Sequence, residues 1–327
     1  GFREAPYEET HRRLQVTGGR LVNVSTRRAW SMGTFEAPSL HDLRERVAKL
    51  PVRPGQLKLS LVQKNVTDLH IAAESRHALI QAASQFNALE MICPTVTPEH
   101  GVTRYQTDNT QGPACAIAAG AGTIYRNYLM DLPGGRGQTR ERQLDALADL
   151  GEALGNSAGG LWTMLNGYMM VQPGALEAID AKLSQATPAQ LDAWRGKIRL
   201  PLHCDVEVTL PGSPANHYLS QIYCSALPVA YNAEHSPRLW RRFATLVLEA
   251  TYEGTMLAGV LNAERTGHPL VYLTRVGGGV FGNSPDWING AIRRAIQTVA
   301  ASRLEVSIVT LNAPDAGLRR LVRDFME

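Results

Sequence analysis

A glycine-rich run late in the chain most constrains what this sequence can fold into. Residues 277–283 read GGGVFGN and directly follow an apolar stretch, 270–276, that is typical of a β-strand. Ser284 and Pro285 then supply an N-cap and a first helical position. Glycines let backbone N–H groups approach a ligand closely, and a helix N-terminus adds positive potential. A tight turn without a ligand needs fewer glycines, so the run predicts a phosphate-binding loop.

Strands and helices alternate around this loop. The segments QLKLSLV (56–62) and HALIQAA (77–83) predict two strands, the second buried on both faces of a sheet. The remaining predicted elements are strands at 204–210, 219–227, 269–276 and 304–311 and helices at 114–129, 236–261 and 284–302. Alternation with buried apolar strands implies an α/β fold, a three-layer α/β/α sandwich.

Three further segments flank or interrupt this pattern. Residues 1–56 are predicted to be an N-terminal extension packing on the core, with a strand at 19–24 and a helix that Ser39 caps. A helical insertion is expected at about 138–197, with helices at 139–154, 175–184 and 188–196. The main domain then spans 57–312, and 313–327 form a C-terminal helix.

Composition excludes several classes of function. The chain has 327 residues, 44% of them hydrophobic and 19% charged, as in globular proteins. Its net charge of +3 is small and spread out, which argues against nucleic acid as a partner, and no apolar run approaches a membrane span. The four cysteines lack metal-binding spacing, so we expect buried free thiols and a cytoplasmic protein. No cofactor is expected, and no metal is required because no dense Asp/His cluster is present, although a carboxylate cluster could recruit Mg²⁺.

Several motifs resemble those of macrodomains, which bind ADP-ribose. The run 277–283 matches their second ligand loop, Gly-x-Gly-(Val/Ile)-(Phe/Tyr)-Gly, in which Phe281 would lie against the distal ribose. The residues QAAS at 81–84 stand where macrodomains place an Asn-Ala-Ala-Asn strand end. Asp68 stands near their adenine-recognising aspartate. The resemblance implies a macrodomain-like sandwich with a mixed sheet.

The departures from that pattern narrow the resemblance. Gln81 replaces the usual Asn, a Gly-Gly-Gly-Val first loop is missing, and a long helical insertion follows. Five segments are similar to those of the divergent MavL-like group. They are LIQAASQFNALEM, TQGPACAIAAGAGTIYRNY, CSALPVAYN, LEATYEGTMLAG and GGGVFGN. That likeness implies hydrolysis of ADP-ribose from arginine side chains, with ADP-ribose and an ADP-ribosylated protein as partners.

The residues expected to bind the ligand lie in these motifs. Gln85 and Asn87 would bind the distal ribose or merely end a strand, and residues 110–116 would contact the diphosphate or simply begin a helix that Thr110 caps. The expected ligand-binding residues are Asp68, Gln81, Gln85, Asn87, Thr110, Gln111, Gly112, Ala114, Cys115, Gly277, Gly278, Gly279, Val280, Phe281, Gly282 and Asn283.

Three carboxylates are candidates for catalysis, because cleaving an N-glycosidic bond requires an activated water and a protonated leaving group. Asp108 lies in a polar loop before the first ligand segment, where an Asx-turn is the structural alternative. Glu99 follows Pro98 and is otherwise a surface charge. Glu90 lies in an apolar run, as a buried functional group or a residue turned to solvent.

The sequence thus predicts an ADP-ribosyl-arginine hydrolase in which Asp108 and Glu99 or Glu90 act on the water and the leaving group. A reader that binds ADP-ribose without turnover and a hydrolase of a free ADP-ribose derivative remain alternatives. The run GNSAG at 155–159 has GxSxG spacing, but it follows a predicted helix and not a strand, so it does not indicate a serine hydrolase. A dinucleotide oxidoreductase would need its glycine-rich turn after the first strand of a βαβ unit.

Overall fold

The computed structural model describes residues 3–51 and 54–326. Residues 1, 2, 52, 53 and 327, which belong to the predicted extension and C-terminal helix, lie outside the described residues. The α-helices and strands are, in chain order, α1 Tyr7–Arg12, β1 Leu14–Thr17, β2 Arg20–Asn23, β3 Ala29–Ser31, β4 Thr34–Glu36, α2 Leu40–Ala48, β5 Lys58–Gln63, α3 Val66–Ile71, β6 Leu79–Ala83, α4 Gln111–Ala118, α5 Gly120–Ile124, β7 Asp131–Leu132, β8 Gly135–Arg136, α6 Ala148–Leu154, β9 Trp162–Leu165, β10 Tyr168–Val171, α7 Ala175–Gln185, α8 Pro188–Gly196, β11 Leu202–Glu207, β12 Tyr218–Cys224, α9 Pro237–Thr266, β13 Leu270–Leu273, α10 Pro285–Thr298, β14 Glu305–Thr310 and α11 Ala316–Met326.

A seven-stranded sheet forms the centre, with the strand order β4-β11-β12-β6-β13-β14-β5. The five strands from β12 to β5 run parallel to one another, and Ser307 of β14 lies opposite Tyr272 on one side and Ser60 on the other. β11 pairs antiparallel with both β12 and β4. The predicted mixed sheet is therefore confirmed.

Helices cover both faces of this sheet. On one face α9 packs against β6, β12 and β13 and is flanked by α10, while on the other α4 packs on β6 and α5 on β11. Successive residues of a strand point to opposite faces, so Leu79 belongs to the first core and Ile80 to the second. The three-layer α/β/α sandwich is confirmed, as is a strand near 77–83 that is buried on both faces.

The N-terminal segment contributes to the sandwich itself. β1, β2 and β3 form a separate antiparallel sheet, but β4 completes one edge of the central sheet by pairing with β11. The helix predicted after Ser39 is α2, where the Asp42 backbone N–H donates to Ser39 Oγ and the Ser39 N–H donates to the Asp42 carboxylate. Leu40 and Leu43 then bury one side of α2 in the main core.

The insertion differs from its prediction in its first half. The helix expected over 139–154 is wrong, because only α6 forms there and a hairpin of β9 and β10 follows it. Side chains bind the backbone of the preceding stretch: Gln138 Oε1 accepts from the Leu144 N–H, and Asp145 Oδ1 accepts from the Leu147 N–H. Such bonds compete with helical hydrogen bonding despite the leucine spacing. α7 and α8 lie where they were predicted.

The helix predicted over 114–129 is also divided. α4 ends at Ala118, α5 begins at Gly120, and a π-helical turn covers 125–129. Among the described helices, none is both long and apolar enough to cross a membrane.

An ion-pair network joins four helices on the α9 face. The Arg44 guanidinium of α2 contacts Asp192 of α8 at 2.9 Å and Glu253 of α9 at 2.5 Å, and Arg294 of α10 also pairs with Glu253. Burial raises the pKa of Glu253, but the hydrogen bonds from Arg44 and Arg294 outweigh it and hold the pKa below its usual value. Glu253 therefore has a structural role.

Candidate functional site

A cleft of about 1220 Å³ lies at the carboxyl ends of the parallel strands of the central sheet. It is lined by residues that directly follow parallel strands, such as Ser84 after β6, Thr274 after β13, Leu311 after β14 and Lys64 after β5. Open α/β sheets bind ligands at the carboxyl ends of their strands, so the cleft occupies the expected place for a site.

The glycine-rich run forms one wall of this cleft. The loop 277–283 is closed by its own backbone, because the Asn283 N–H donates to the Gly277 carbonyl at 2.9 Å and the Gly282 N–H to the Gly279 carbonyl at 3.0 Å. Asn283 Nδ2 also donates to the Leu227 carbonyl, which anchors the loop from behind. The cleft-lining residues of the loop are Gly277, Gly278, Gly279, Val280 and Phe281.

Gly277 cannot be replaced by another residue without strain. Its φ is +82°, and a Cβ atom there would lie 2.4 Å from the Ala226 Cβ. The loop leads directly into α10, a fourteen-residue helix that Ser284 caps, and Pro285 in its first turn lines the cleft. The glycine loop and this helix N-terminus together form the positive, backbone-rich surface that suits a phosphate.

Arg275 adds a cation that the sequence analysis missed. It lines the cleft two residues before Gly277, and its guanidinium contacts the Asp315 carboxylate at 2.5 Å. Its Nε is buried without a hydrogen-bond partner among the described residues. Lys64 lies on the same cleft lining. The sequence feature that could have indicated Arg275 is a basic residue two positions before the glycine run.

The opposite wall begins with a turn over 85–91 after β6. The Met91 N–H donates to Gln85 Oε1 at 2.7 Å, which closes the turn on its own side chain. Ala88 has a φ of +59°, a left-handed conformation that is strained for a residue with a Cβ atom. This turn directs Glu90 into the cleft, where Gln85 also lies.

Glu90 is a buried carboxyl group at the cleft surface, with 8% of the residue exposed. Burial raises its pKa well above the usual value; the positive charge of Arg126 lowers it and the charge of Asp108 raises it further. A Cβ atom at position 112 would lie 2.3 Å from Glu90 Oε2, so only glycine lets α4 begin this close to the carboxyl group. Glu90 Oε1 has no hydrogen-bond partner among the described residues. A substrate donor or acceptor could occupy that position.

Asp108 and Gln111 lie between Glu90 and α4. Asp108 Oδ1 accepts from the Thr110 N–H at 2.8 Å, so the Asx-turn weighed as its structural role exists, and the residue also lines the cleft. Gln111 joins the end of β6 to α4: its Oε1 accepts from the Ala83 N–H and its Nε2 donates to the Gln81 carbonyl. The predicted ligand residues of this segment that line the cleft are Thr110, Gln111, Gly112 and Ala114.

Three aromatic rings form one side of the cleft. Tyr168 from the insertion hairpin, Tyr231 and Phe281 pack with ring centroids 5.1 to 5.7 Å apart. Tyr168 Oη donates to the Met91 carbonyl at 2.7 Å, which ties the hairpin to the turn that carries Glu90. Neither tyrosine was predicted as a site residue, although Tyr231 lies in the segment CSALPVAYN; Tyr168 lies in the insertion, far from the motifs along the chain.

The cleft rim carries exposed apolar side chains. Ile92, Ile117, Val280 and Leu311 line the cleft, and each is more than a third exposed. Clustered exposed apolar residues mark surfaces that bind other molecules.

Two predicted site residues lie outside the cleft lining. Asp68, expected to read adenine, lies on the exposed side of α3, although Val66 and Thr67 beside it line the cleft. Glu99, a predicted catalytic residue, accepts from the Arg140 N–H at 2.8 Å in the loop before α6. The structure therefore does not bring either carboxylate to the candidate site.

Other predicted ligand residues support the site from beneath. Gln81 is fully buried, with its Nε2 donating to Thr255 Oγ1 at 2.8 Å, and Asn87 Nδ2 donates to Gln143 Oε1 at 2.8 Å. Cys115 is fully buried in α4. Gly282 and Asn283, at the end of the glycine loop, are not among the residues that line the cleft.

The part of the chain that the structure describes, 3–51 and 54–326, contains no group of three or more His, Cys, Asp or Glu side chains placed to hold a metal ion. Its four cysteines are free. The charged groups that line the cleft are Lys64, Glu90, Asp108, Arg275 and Asp315.

Comparison with known proteins finds similarity in structure but not in sequence. No protein-family model matches the chain, and no curated protein matches it. It is similar to the poly(ADP-ribose) glycohydrolase of Thermomonospora curvata, with 11% identity, a TM-score of 0.46, and coverage of 97% of this chain and 95% of that one. It is also similar to the Deinococcus radiodurans poly(ADP-ribose) glycohydrolase in complex with ADP-ribose, with 14% identity, a TM-score of 0.49, and coverage of 90% and 95%. Because these identities and TM-scores are low, the function of this chain has to be inferred from the residues of its cleft.

Proposed function

We propose that this protein is an ADP-ribosyl hydrolase that removes mono-ADP-ribose from arginine side chains. One observation carries the proposal: a single cleft combines a glycine loop at a helix N-terminus with a buried carboxyl group of raised pKa, Glu90, on the facing wall. The first feature suits a diphosphate, and the second suits proton transfer to a leaving group.

The ligand would lie between the two walls. Loop 277–281, the N-terminus of α10 and the Arg275 guanidinium offer donors and positive charge to the diphosphate. Phe281 continues from that loop to the aromatic side, next to Tyr168 and Tyr231, where a ribose or a planar group would pack. In this arrangement the distal ribose would lie near Glu90 and Asp108.

The two cleft carboxyl groups have different environments, which suits different roles. Glu90, whose burial favours the protonated carboxyl group, donates its proton to the guanidine nitrogen as the bond from that nitrogen to the ribose C1″ breaks. Asp108, which is half-buried, accepts a proton from the water whose oxygen bonds to C1″. Guanidinium and ADP-ribose are the products, and proton exchange with solvent resets both carboxyl groups.

Two features support arginine on a protein as the substrate. A guanidinium is a planar cation that stacks on aromatic rings and pairs with carboxylates, and the cleft provides both in Tyr168, Tyr231 and the acidic pair. The apolar rim, formed by residues such as Val280 and Leu311, offers a contact surface for the protein that carries the modification. The motifs similar to the MavL-like group favour the same substrate.

The test is release of ADP-ribose from a protein mono-ADP-ribosylated on arginine, compared with serine- and glutamate-linked substrates. We expect release from arginine alone, lost in Glu90→Gln and Asp108→Ala. Glu152→Gln, an exposed carboxyl on α6, is the matched control and should keep wild-type turnover.

Other outcomes would replace this proposal. Calorimetric binding of ADP-ribose without release from any linkage would leave a reader domain. Turnover of free ADP-ribose derivatives, with none of protein-linked substrate, would identify a small-molecule hydrolase. Neither binding nor turnover would reject the ADP-ribose site altogether.

A further inference from the structure

Arg126 is a fully buried guanidinium beneath the acidic wall of the cleft. Its nitrogens contact only neutral groups: Nε donates to the Ala88 carbonyl at 2.9 Å, Nη2 to Thr123 Oγ1 at 3.2 Å, and Nη1 to His203 Nδ1 and Tyr223 Oη. Within the described residues no carboxylate forms an ion pair with it. Burying an unpaired charge is costly, so a retained one calls for a function.

The backbone that Arg126 holds is the strained part of the turn over 85–91. Ala88, whose carbonyl accepts from Arg126 Nε, is the residue in the left-handed conformation. Gln138 Nε2 strengthens this support by donating to both the Asn87 and the Arg126 carbonyls. Arg126 is therefore bonded to the strained residue two positions before Glu90 and stabilises the conformation that points Glu90 into the cleft.

The same guanidinium is the cation that acts on the Glu90 carboxyl from below. The other titratable groups that face this pair come from the loop before α4, from α4, from the insertion hairpin and from the sheet. They are Tyr105, Asp108, Cys115, Tyr168, Tyr223 and His203. Burial and the nearby Arg126 charge both keep the pKa of His203 well below its usual value, so the imidazole is neutral. Arg126 thus supplies positive charge where its neighbours supply none.

We propose that Arg126 is the positioning residue for Glu90: its guanidinium fixes the turn that carries the carboxyl group and supplies the buried charge that tunes its proton affinity. The proposal rests on the proposed function for the role of Glu90 as proton donor. The coupling between the two residues does not depend on turnover, so it is separately measurable.

The first experiment measures kcat against pH with arginine-linked substrate for the wild type, Arg126→Met and Arg126→Lys. A general acid is active when protonated, so kcat declines as pH rises through its pKa. Loss of the positive charge raises that pKa, and the descending limb should move to higher pH by about one unit in Arg126→Met. Arg126→Lys keeps the charge, so its limb should stay in place while kcat falls about tenfold through lost positioning.

Arg142→Met is the matched control, because the Arg142 guanidinium also holds backbone, donating to the carbonyls of Gly134, Arg136 and Gly137, but not to the turn over 85–91. The descending limb of the kcat–pH profile of Arg142→Met should coincide with that of the wild type. A lower kcat with an unmoved limb in Arg126→Met would mean a purely structural role and would overturn the proposal. If Arg126→Met does not fold, by circular dichroism, Arg126→Lys decides: a displaced limb overturns the proposal and an unmoved limb with lower kcat supports it.

The second experiment follows the Glu90 carboxyl carbon by ¹³C NMR during pH titration, with Glu90→Gln assigning the signal. We expect its midpoint to rise by about one pH unit in Arg126→Met and to stay in place in Arg126→Lys. An unchanged midpoint in Arg126→Met overturns the proposal. A shifted midpoint in a protein without hydrolase activity would retain the coupling and reject only the proposed function.

Discussion

The two walls of the cleft are built in different ways. The glycine-loop wall is made of backbone held by local hydrogen bonds over 277–283 and by one helix N-terminus. The acidic wall is made of side chains, with Glu90 on a strained turn above the buried Arg126 and its polar neighbours. A backbone wall can hold a phosphate with little dependence on the rest of the fold. A side-chain wall depends on residues distant along the chain.

This difference separates binding from chemistry. Changes on the glycine-loop wall should weaken ligand affinity, whereas changes on the acidic wall should slow turnover or lower stability. The comparison fails if both walls respond alike.

The largest effect is expected from Glu90→Gln. The amide cannot donate a carboxylic proton to the leaving group, so kcat should fall by about 10³-fold. Affinity for ADP-ribose should stay within about twofold, since the amide fills the same buried space. Single-turnover release and calorimetry on the same preparation measure the two quantities. A parallel loss of affinity and turnover would show that Glu90 binds the ligand rather than transferring a proton.

Low pH should destabilise the buried polar residues that lie beneath the acidic wall. Burial lowers the pKa of His70 to about 4, and its ring contacts Gln221, which in turn accepts from Tyr223 beneath Arg126. The folded pKa lies below the unfolded value of about 6.5, so this stability is present above pH 6.5 and is lost as pH falls toward 4, by about 3 kcal/mol. Urea unfolding at pH 7.5 and 4.5 measures the loss.

His70→Gln provides the comparison for that measurement. The variant lacks the titrating ring, so its free energy of unfolding should depend less on pH over the same range. Equal pH dependence in both proteins would remove His70 from the explanation and leave His203 and His217 as the buried histidines to examine.

Gly277→Ala should distort the glycine-loop wall. The positive φ and the contact with Ala226 would force the loop open, at a cost of about 1–3 kcal/mol. We expect ADP-ribose to bind about tenfold more weakly, with kcat under saturating substrate reduced less. Gly290→Ala is the matched control, because a Cβ atom there meets nothing within 4 Å. Unchanged affinity in Gly277→Ala would argue against the loop as the diphosphate site.

The smallest effect is expected at the aromatic side. Tyr231→Leu removes a ring that could stack on the arginine guanidinium, worth about 0.5–1 kcal/mol at an exposed site. The value of kcat/KM for arginine-linked substrate should fall by about threefold, whereas Tyr231→Phe should keep it. Equal values for Leu and Phe would assign the guanidinium contact to another group.

The sheet and its main helices could be predicted because their signals are local. The strand, glycine loop and capped helix from 270 to 298 form a continuous pattern, and the structure has β13 and α10 there. The helix predicted over 139–154 is absent from 139–147. The leucines there have helical spacing, but side chains such as Gln138 and Asp145 accept hydrogen bonds from the backbone instead.

The candidate site was less accessible to sequence reasoning. Glu90 and Asp108 were identified because they lie beside a recognisable motif. Tyr168 and Phe281 meet across more than a hundred residues of chain, and no local pattern reports such a contact. Asp68 has the expected order along the chain, but the rotation of α3 leaves it exposed.

The hairpin of β9 and β10 has a consequence for how this scaffold can diversify. It is tethered to the turn that carries the acid by the hydrogen bond from Tyr168 Oη to the Met91 carbonyl, and none of its residues belongs to the glycine loop. Grafting another hairpin between residues 161 and 172 should therefore change the cleft lining beside both Glu90 and Phe281, since Tyr168 also packs on Phe281. We expect a changed hairpin to alter which ligands the cleft accepts.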